Sequence, residues 1–186
     1  MVYLWKIPDD YPEKLIGDYD RENSPDRFIF KKGEMLPSDL AKPVIKFDAS
    51  VQELIELDDL ANNAMVPVIS ERLAAVLAGW ATEDIQLVDV VIKAKDGDLE
   101  GYKILNIVSK VFGIDKEQSK FTLVPGTDQI MSFRSLKYKD DCLKGHHLAR
   151  DAEYSSNLMV SQALAERLME MELKGVGLYL PENMEW

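Results

Sequence analysis

An internal repeat constrains the fold of this chain more than any other feature of its sequence. Residues 66–77 read VPVISERLAAVL, and residues 157–168 read NLMVSQALAERL. When Ser70 is placed on Ser161, at an offset of 91 residues, the two segments align without a gap. Two leucines and one alanine then coincide, and apolar residues continue to match about ten positions beyond the segments. The alignment indicates that one structural unit occurs twice.

Each copy of the repeat has the pattern of a strand, a helix and a second strand. A short apolar run precedes the serine, whose hydroxyl oxygen can accept a hydrogen bond from a free N–H group of the first helical turn. Leucines three and seven positions after the serine then lie on one face of the helix. The sequence therefore predicts similar strand–helix–strand units at residues 66–88 and 157–179.

A hairpin is predicted between the two copies. Residues 85–94 alternate, which places Val90 and Ile92 on one face of a strand. Asp96 and Gly97 supply a turn, and residues 102–107 form the returning strand. We expect the repeat leucines to be buried together with these strands, in a core formed by Leu73, Leu77, Leu164, Leu168, Val90, Ile92 and Ile104.

Further short elements complete an α+β pattern. Ser50 and Glu53 fit a capping box, which predicts a helix of about ten residues that reaches Leu60. The remaining extended segments are predicted at residues 1–7, 28–30, 44–47, 121–124 and 131–138. About eight strands and three helices result, and strands often follow one another directly. This order favours a largely antiparallel sheet.

The length of 186 residues is typical of one globular domain, residues 1–186. Within it, residues 1–60 form an acidic part that contains five of the eight prolines. Residues 61–186 form the core with the internal repeat. We therefore expect one folding unit with a less regular N-terminal part.

The charge balance argues against nucleic-acid binding. The net charge is −11, and residues 1–60 alone carry fourteen acidic against eight basic residues. Binding to phosphates would need lysines and arginines gathered on one face. The surplus acids either keep the protein soluble or attract a basic protein partner. Candidate residues for such attraction are Asp9, Asp10, Asp18 and Asp20.

The sequence predicts a cytoplasmic protein that is independent of membranes. Cys142 is the single cysteine, so no internal disulfide can form. No run of about 18 apolar residues is present. The N-terminus lacks the basic start and the apolar stretch of a signal peptide.

Catalytic residue types are gathered around Cys142. Two histidines, His146 and His147, follow it, and Asp140 and Asp151 flank the group. A thiol with an imidazole base could act as a nucleophile. However, the acidic residues before Cys142 would raise the pKa of its thiol, so we do not expect catalysis.

The same segment is a poor candidate for a metal site. Adjacent histidines in a strand point to opposite faces, so His146 and His147 cannot easily share one ion. The sequence also lacks a phosphate-binding loop, and we expect neither a metal nor a cofactor. Trp80 ends the first repeat helix, and its ring either packs in the core or serves as an exposed anchor for a partner.

The order and spacing of five segments resemble a known family. The segments are VISERLAAVL from Val68, GYKILNI from Gly101, DKEQS from Asp115, HLARD from His147, and VSQALAERL ending at Leu168. The sequence is similar in these segments to the bacterial polymorphic-toxin immunity-protein family eleven, formerly a domain of unknown function. The resemblance covers roughly residues 66–180.

The resemblance implies a non-catalytic α+β protein that binds and neutralises a cognate toxin. It implies no cofactor and supplies no set of binding residues. A structural or scaffolding interaction module is the alternative interpretation, and a thiol-dependent enzyme based on Cys142 is a third.

Overall fold

Short strands dominate the structure, a computed structural model that describes residues 1–184. The α-helices are α1 (Val51–Leu54), α2 (Glu71–Trp80) and α3 (Gln162–Met169), and 3₁₀ helices cover Glu13–Leu15, Arg27–Lys31 and Pro181–Asn183. The strands are β1 (Val2–Lys6), β2 (Asp18–Tyr19), β3 (Val44–Lys46), β4 (Val68–Ser70), β5 (Ile85–Asp89), β6 (Val91–Ala94), β7 (Gly97–Leu99), β8 (Tyr102–Ile107), β9 (Lys110–Val111), β10 (Lys120–Leu123), β11 (Ile130–Ser135), β12 (Leu148–Asp151), β13 (Leu158–Ser161) and β14 (Gly177–Tyr179).

The strands form four sheets with mostly antiparallel neighbours. Their strand orders are β14-β1-β13-β12-β9, β2-β3-β6-β7, β4-β8-β5 and β10-β11. Only β9 with β12 and β3 with β6 pair in parallel among the described strands. The α+β class is confirmed, although the structure has more and shorter strands than the sequence predicts.

The two copies of the internal repeat have the same strand order and the same pairing register in the structure. In the first unit, β4 and β5 lie on either side of β8, and both are antiparallel to it. In the second unit, β13 and β14 lie in the same way on either side of β1. Tyr102 faces Ser70 and Val2 faces Ser161, so the central strands correspond at one constant offset. The two predicted strand–helix–strand units are therefore confirmed, and each needs a central strand from elsewhere in the chain.

Both helices begin as the sequence predicts. The Ser70 hydroxyl oxygen accepts a hydrogen bond from the Leu73 N–H at 3.4 Å. Ser161 accepts the equivalent bond from Leu164 at 3.3 Å. Each serine has extended backbone angles, as an N-cap residue requires.

Replacing Ser161 with Ala is expected to lower the free energy of unfolding by about 1 kcal/mol, because one helical N–H group loses its partner. Urea denaturation would measure the change. The exposed residue Ser38 provides a control, and Ser38→Ala should change stability by less than about 0.5 kcal/mol. Equal stabilities of the two variants would contradict the capping role.

The repeat leucines are buried together, but their partners differ from those expected. Leu73, Leu77, Leu164 and Leu168 share one apolar cluster with Ile69, Leu105, Ile107, Leu158 and Val160. By contrast, Val90, Ile92 and Ile104 pack in a second cluster with the N-terminal part of the chain. Successive side chains of a strand point to opposite faces, so Leu105 and its neighbour Ile104 enter different cores. The prediction that Val90, Ile92 and Ile104 share one core with the repeat leucines is therefore wrong.

The predicted strand at residues 85–94 is divided in two. β5 pairs with β8, whereas β6 pairs with β3 and forms a hairpin with β7. The break lies at Val90. The chain thus leaves one sheet and enters another at this residue, which the unbroken alternation of the sequence does not indicate.

Two local predictions are wrong. α1 ends after four residues, although the capping box of Ser50 and Glu53 is present. The chain leaves the helix because Asp58 and Leu60 form backbone hydrogen bonds with distant segments. Residues 28–30 belong to a 3₁₀ helix, since the Asp26 side chain accepts a hydrogen bond from the Phe28 N–H and starts a turn.

Candidate partner-binding surface

Asp84 connects the first repeat unit to His147, which in turn contacts Ser161 at the start of α3. It lies in the loop between α2 and β5, and its side chain is 5% exposed. Its carboxylate accepts hydrogen bonds from Ser109 Oγ at 2.8 Å and from the backbone N–H groups of His147 and Leu148 at 2.8 and 3.1 Å. His146 Nδ1 lies 2.5 Å from the same carboxylate. Burial raises the pKa of Asp84, but these hydrogen bonds outweigh it and the net pKa is lowered.

Asp58 forms the corresponding connection at the start of α2. Its carboxylate accepts hydrogen bonds from Ser70 Oγ at 2.8 Å, from Arg72 Nε at 2.6 Å and from the Lys174 N–H at 2.9 Å. Lys174 lies in the loop between α3 and β14. In the second unit this loop corresponds to the loop between α2 and β5, which contains Asp84. Burial raises the pKa of Asp58, but the hydrogen bonds from Arg72, Lys174 and Ser70 have the larger combined effect. The net pKa of Asp58 is therefore lowered.

The two connections are reciprocal. Asp84, in the loop before β5, contacts His147, whose carbonyl accepts a hydrogen bond from the Ser161 N–H of the second unit. In the same way Lys174, in the loop before β14, contacts Asp58, whose carbonyl accepts a hydrogen bond from the Ser70 N–H of the first unit. Gly175 makes this approach possible, because a Cβ atom there would lie 2.5 Å from the Asp59 carbonyl oxygen. Its φ of +83° also favours glycine. The duplicated units are thus held together at both helix starts.

The residues around Cys142 have structural contacts rather than a catalytic arrangement. The Cys142 side chain is buried, and burial, with the charges of Asp151 and Asp141, raises the pKa of its thiol. His147 Nδ1 lies 2.8 Å from Ser161 Oγ, and Tyr138 donates to Asp151 at 2.7 Å. Asp140 is exposed. Within residues 1–184 no hydrogen bond joins Cys142 to either histidine, whose ring nitrogens contact Asp84 and Ser161 instead.

Within residues 1–184 no group of three or more His, Cys, Asp or Glu side chains is arranged to hold a metal ion. No helix in this range is long and apolar enough to cross a membrane.

The residues that the sequence suggests for partner binding lie on different elements of the structure. Trp80 is 39% exposed at the end of α2, and its ring meets the edge of His147 at a centroid distance of 5.3 Å. Asp9 and Asp10 are exposed in the loop after β1. No hydrogen bond among the described residues joins Trp80 to any of the four aspartates.

Asp18 and Asp20, the other two candidate aspartates, differ in how far their carboxylates are already paired within the protein. Asp18 is exposed in β2 and accepts a hydrogen bond from Asn63 at 2.8 Å. Asp20 is occupied by Lys46 at 2.7 Å and by Asn23, and these hydrogen bonds lower its pKa to about 2. Asp20 therefore stabilises its own turn, whereas Asp18 remains available on the surface.

A cleft of about 700 Å³ lies between α2 and the strands β5 to β8. Small and apolar side chains form its floor: Ala74, Ala75, Ala78, Leu87, Val90 and Val91. Ala75 and Ala78 lie on the exposed side of α2, and Leu87 is 37% exposed. The sequence does not indicate this cleft, because it forms where β6 leaves the sheet of β5.

The rim of the cleft is acidic. Glu71, Asp89, Asp98 and Glu100 line it together with two lysines, Lys42 and Lys103. Both lysines pair with Asp89, Lys42 at 3.3 Å. The other three acids form no ion pair within residues 1–184. The cleft therefore combines apolar area with uncompensated negative charge.

Residues 8–180 match the model of a family described as immunity protein family Imm11. No curated protein matches the chain.

Proposed function

The chain belongs to the immunity protein family Imm11, and from this membership we propose that it binds and neutralises a cognate bacterial toxin without catalysing a reaction. The observation that carries the proposal is the extent of the family match, residues 8–180 of 186. The buried thiol of Cys142, with neither histidine as its base, supports inhibition by binding rather than by turnover. The cytoplasm is the compartment we propose, since the lone cysteine does not call for an oxidising environment.

The acidic cleft is our proposed contact surface for the toxin. Its occupant would be a basic segment, because Glu71, Asp98 and Glu100 leave the rim with unpaired negative charge. The floor, with its alanines and Leu87, offers apolar area that such a segment can cover. Charges on the rim of an interface act mainly on the rate of association.

A second group of residues is proposed to guide the approach. Asp9, Asp10 and Asp18 are exposed and add to the negative field of the N-terminal part. Trp80 is proposed as an anchor at the end of α2, since part of its ring is exposed beside His147. Asp20 is a weaker candidate, because Lys46 already pairs with it.

Reversing the charge of the cleft should slow binding to the toxin encoded beside this gene. We expect the triple variant Glu71→Lys, Asp98→Lys, Glu100→Lys to associate about 10-fold more slowly at low salt. Surface plasmon resonance at several salt concentrations would measure association and dissociation separately. The wild-type association rate should fall as salt rises, while its dissociation rate changes less.

A matched control carries the same charge change elsewhere. Glu117, Asp128 and Asp140 are exposed and lie outside the cleft, so their triple replacement by Lys should retain most of the association rate. If both triple variants were slowed equally, the long-range charge and not the cleft would guide binding.

Growth rescue distinguishes the proposal from its alternatives. Cells that express the toxin should grow only when this chain is also expressed. A scaffolding module would bind without protecting the cells. An enzyme based on the thiol would lose protection in Cys142→Ser, whereas the proposed inhibitor retains it.

A further inference from the structure

A smaller pocket on another face of the protein gathers positive charge in this acidic chain. It has a volume of about 320 Å³ and lies between the end of β1, residues 59–67 and β12. Three cationic side chains line it, from Lys6, Lys31 and Arg150. They come from distant parts of the sequence, so the sequence alone does not reveal the group.

Arg150 lacks a counter-ion in the part of the chain that the structure describes. Its side chain is buried, with the residue only 2% exposed, and Nη1 donates to the Ser155 carbonyl at 2.7 Å. Nε is buried without a hydrogen-bond partner. A guanidinium normally enters a protein interior with an acidic partner, because loss of hydration is costly. Burial lowers the pKa of Arg150 to about 10, which reflects this cost.

The two lysines add to the positive charge of the pocket. Burial lowers the pKa of Lys31, and the charges of Arg150 and Arg27 lower it further. Lys6 donates to Asn157 Oδ1 at 2.8 Å, and burial followed by the charge of Lys31 lowers its pKa. Lys31 therefore lies in the same pocket as two other cations, and the charge of Arg150 acts on it.

The one carboxylate that lines the pocket, Asp59, has its hydrogen-bond partners outside the cationic side chains. Asp59 accepts hydrogen bonds from Trp5 Nε1 at 2.9 Å and from the Val68 N–H at 3.2 Å. It forms no ion pair with Lys31 or Arg150 among the described residues. Burial raises its pKa to about 7, so this group is partly protonated near neutrality.

We propose that this pocket binds an oxyanion, a phosphate or carboxylate group, carried by a small molecule with an apolar part. The oxyanion would accept hydrogen bonds from Arg150 and Lys31, a charge-assisted arrangement that phosphates and carboxylates favour. The apolar part would contact Trp5, Val66 and Leu158, which line the same pocket. The volume lies within the range of small-molecule sites. This binding is independent of the proposed contact with the toxin.

Isothermal titration with phenyl phosphate and with benzoate tests the proposal on the intact protein. At least one of them should bind with one site per chain and a Kd below about 1 mM. Benzyl alcohol has the apolar part without the anion and should not bind. Sodium chloride at matched ionic strength controls for general screening. The two anions also show whether phosphate or carboxylate is preferred.

Variants at neighbouring lysines locate the binding site. Lys31→Met removes a cation of the pocket from a partly exposed position and should weaken binding about 10-fold. Lys32→Met is the matched control, because Lys32 is exposed and does not line the pocket, and it should bind as the wild type does.

Arg150→Gln should abolish binding, with circular dichroism used to verify its fold. If Arg150→Gln does not fold, the comparison of the two lysine variants still decides. Absence of binding by both anions, or equal affinities of Lys31→Met and Lys32→Met, would overturn the proposal.

Discussion

Replacing Asp84 with Ala is expected to lower the free energy of unfolding by about 3–5 kcal/mol. The change leaves the Ser109 hydroxyl and the N–H groups of His147 and Leu148 without their acceptor. It also removes the partner of His146. Urea denaturation followed by tryptophan fluorescence and by circular dichroism would measure the loss.

The control for this variant is Asp9→Ala, at an exposed residue, which should change stability by less than about 0.5 kcal/mol. We also propose that the two repeat units unfold together, since Asp84 and Asp58 connect them. Fluorescence and circular dichroism should then give coincident transitions in the wild type. A loss at Asp84→Ala no larger than that of the control would contradict the structural role of this carboxylate.

The pH dependence of stability gives a second test of the same residue. The folded state lowers the pKa of Asp84 below its unfolded value of about 3.9. The contribution of Asp84 to the free energy of unfolding is therefore fully present above its pKa in the unfolded chain. This contribution is lost as the pH falls through the lower pKa that Asp84 has in the folded protein. Asp84→Ala should lack this part of the acid-induced loss, so its stability should fall less steeply than that of the wild type.

Replacing Leu168 with Ala is expected to lower the free energy of unfolding by about 2–5 kcal/mol. Its side chain is 1% exposed in the cluster shared by both repeat helices, so its removal leaves a cavity. Leu77→Ala should have an effect of similar size, because Leu77 occupies the equivalent position in α2 and is fully buried. Urea denaturation at constant pH would measure both.

Met169 offers the matched control for this core, since it follows Leu168 and is 48% exposed. Met169→Ala should cost less than about 1 kcal/mol. A loss below about 0.5 kcal/mol in Leu168→Ala would mean that another face of α3 meets the core.

The repeat was predictable because its signals are local. A serine cap and leucines at helical spacing act within one turn or two, and both copies show them at Ser70 and Ser161. The central strands β1 and β8 were not assigned to the units, because their pairing depends on contacts across the whole chain. The short α1 shows the same limit, since tertiary hydrogen bonds of Asp58 end a helix that local capping favours.

The candidate sites were less predictable than the fold. The sequence suggests His146 and His147 as reactive residues, but in the structure their ring nitrogens contact Asp84 and Ser161, which belong to the helix-start connections. Nothing in the local sequence of Asp84 indicates a contact some 60 residues away. The cleft and the cationic pocket likewise form from separate segments, so their charges become apparent only when the chain is folded.

Titration of the toxin with this protein is the most direct measurement of neutralisation by binding. The cognate toxin of the proposal would be held at a concentration well above the Kd, and its activity would be measured after each addition. We expect activity to fall linearly and to end at one equivalent of this protein. Complete protection far below one equivalent would indicate turnover, and undiminished toxin activity in excess of this protein would contradict neutralisation altogether.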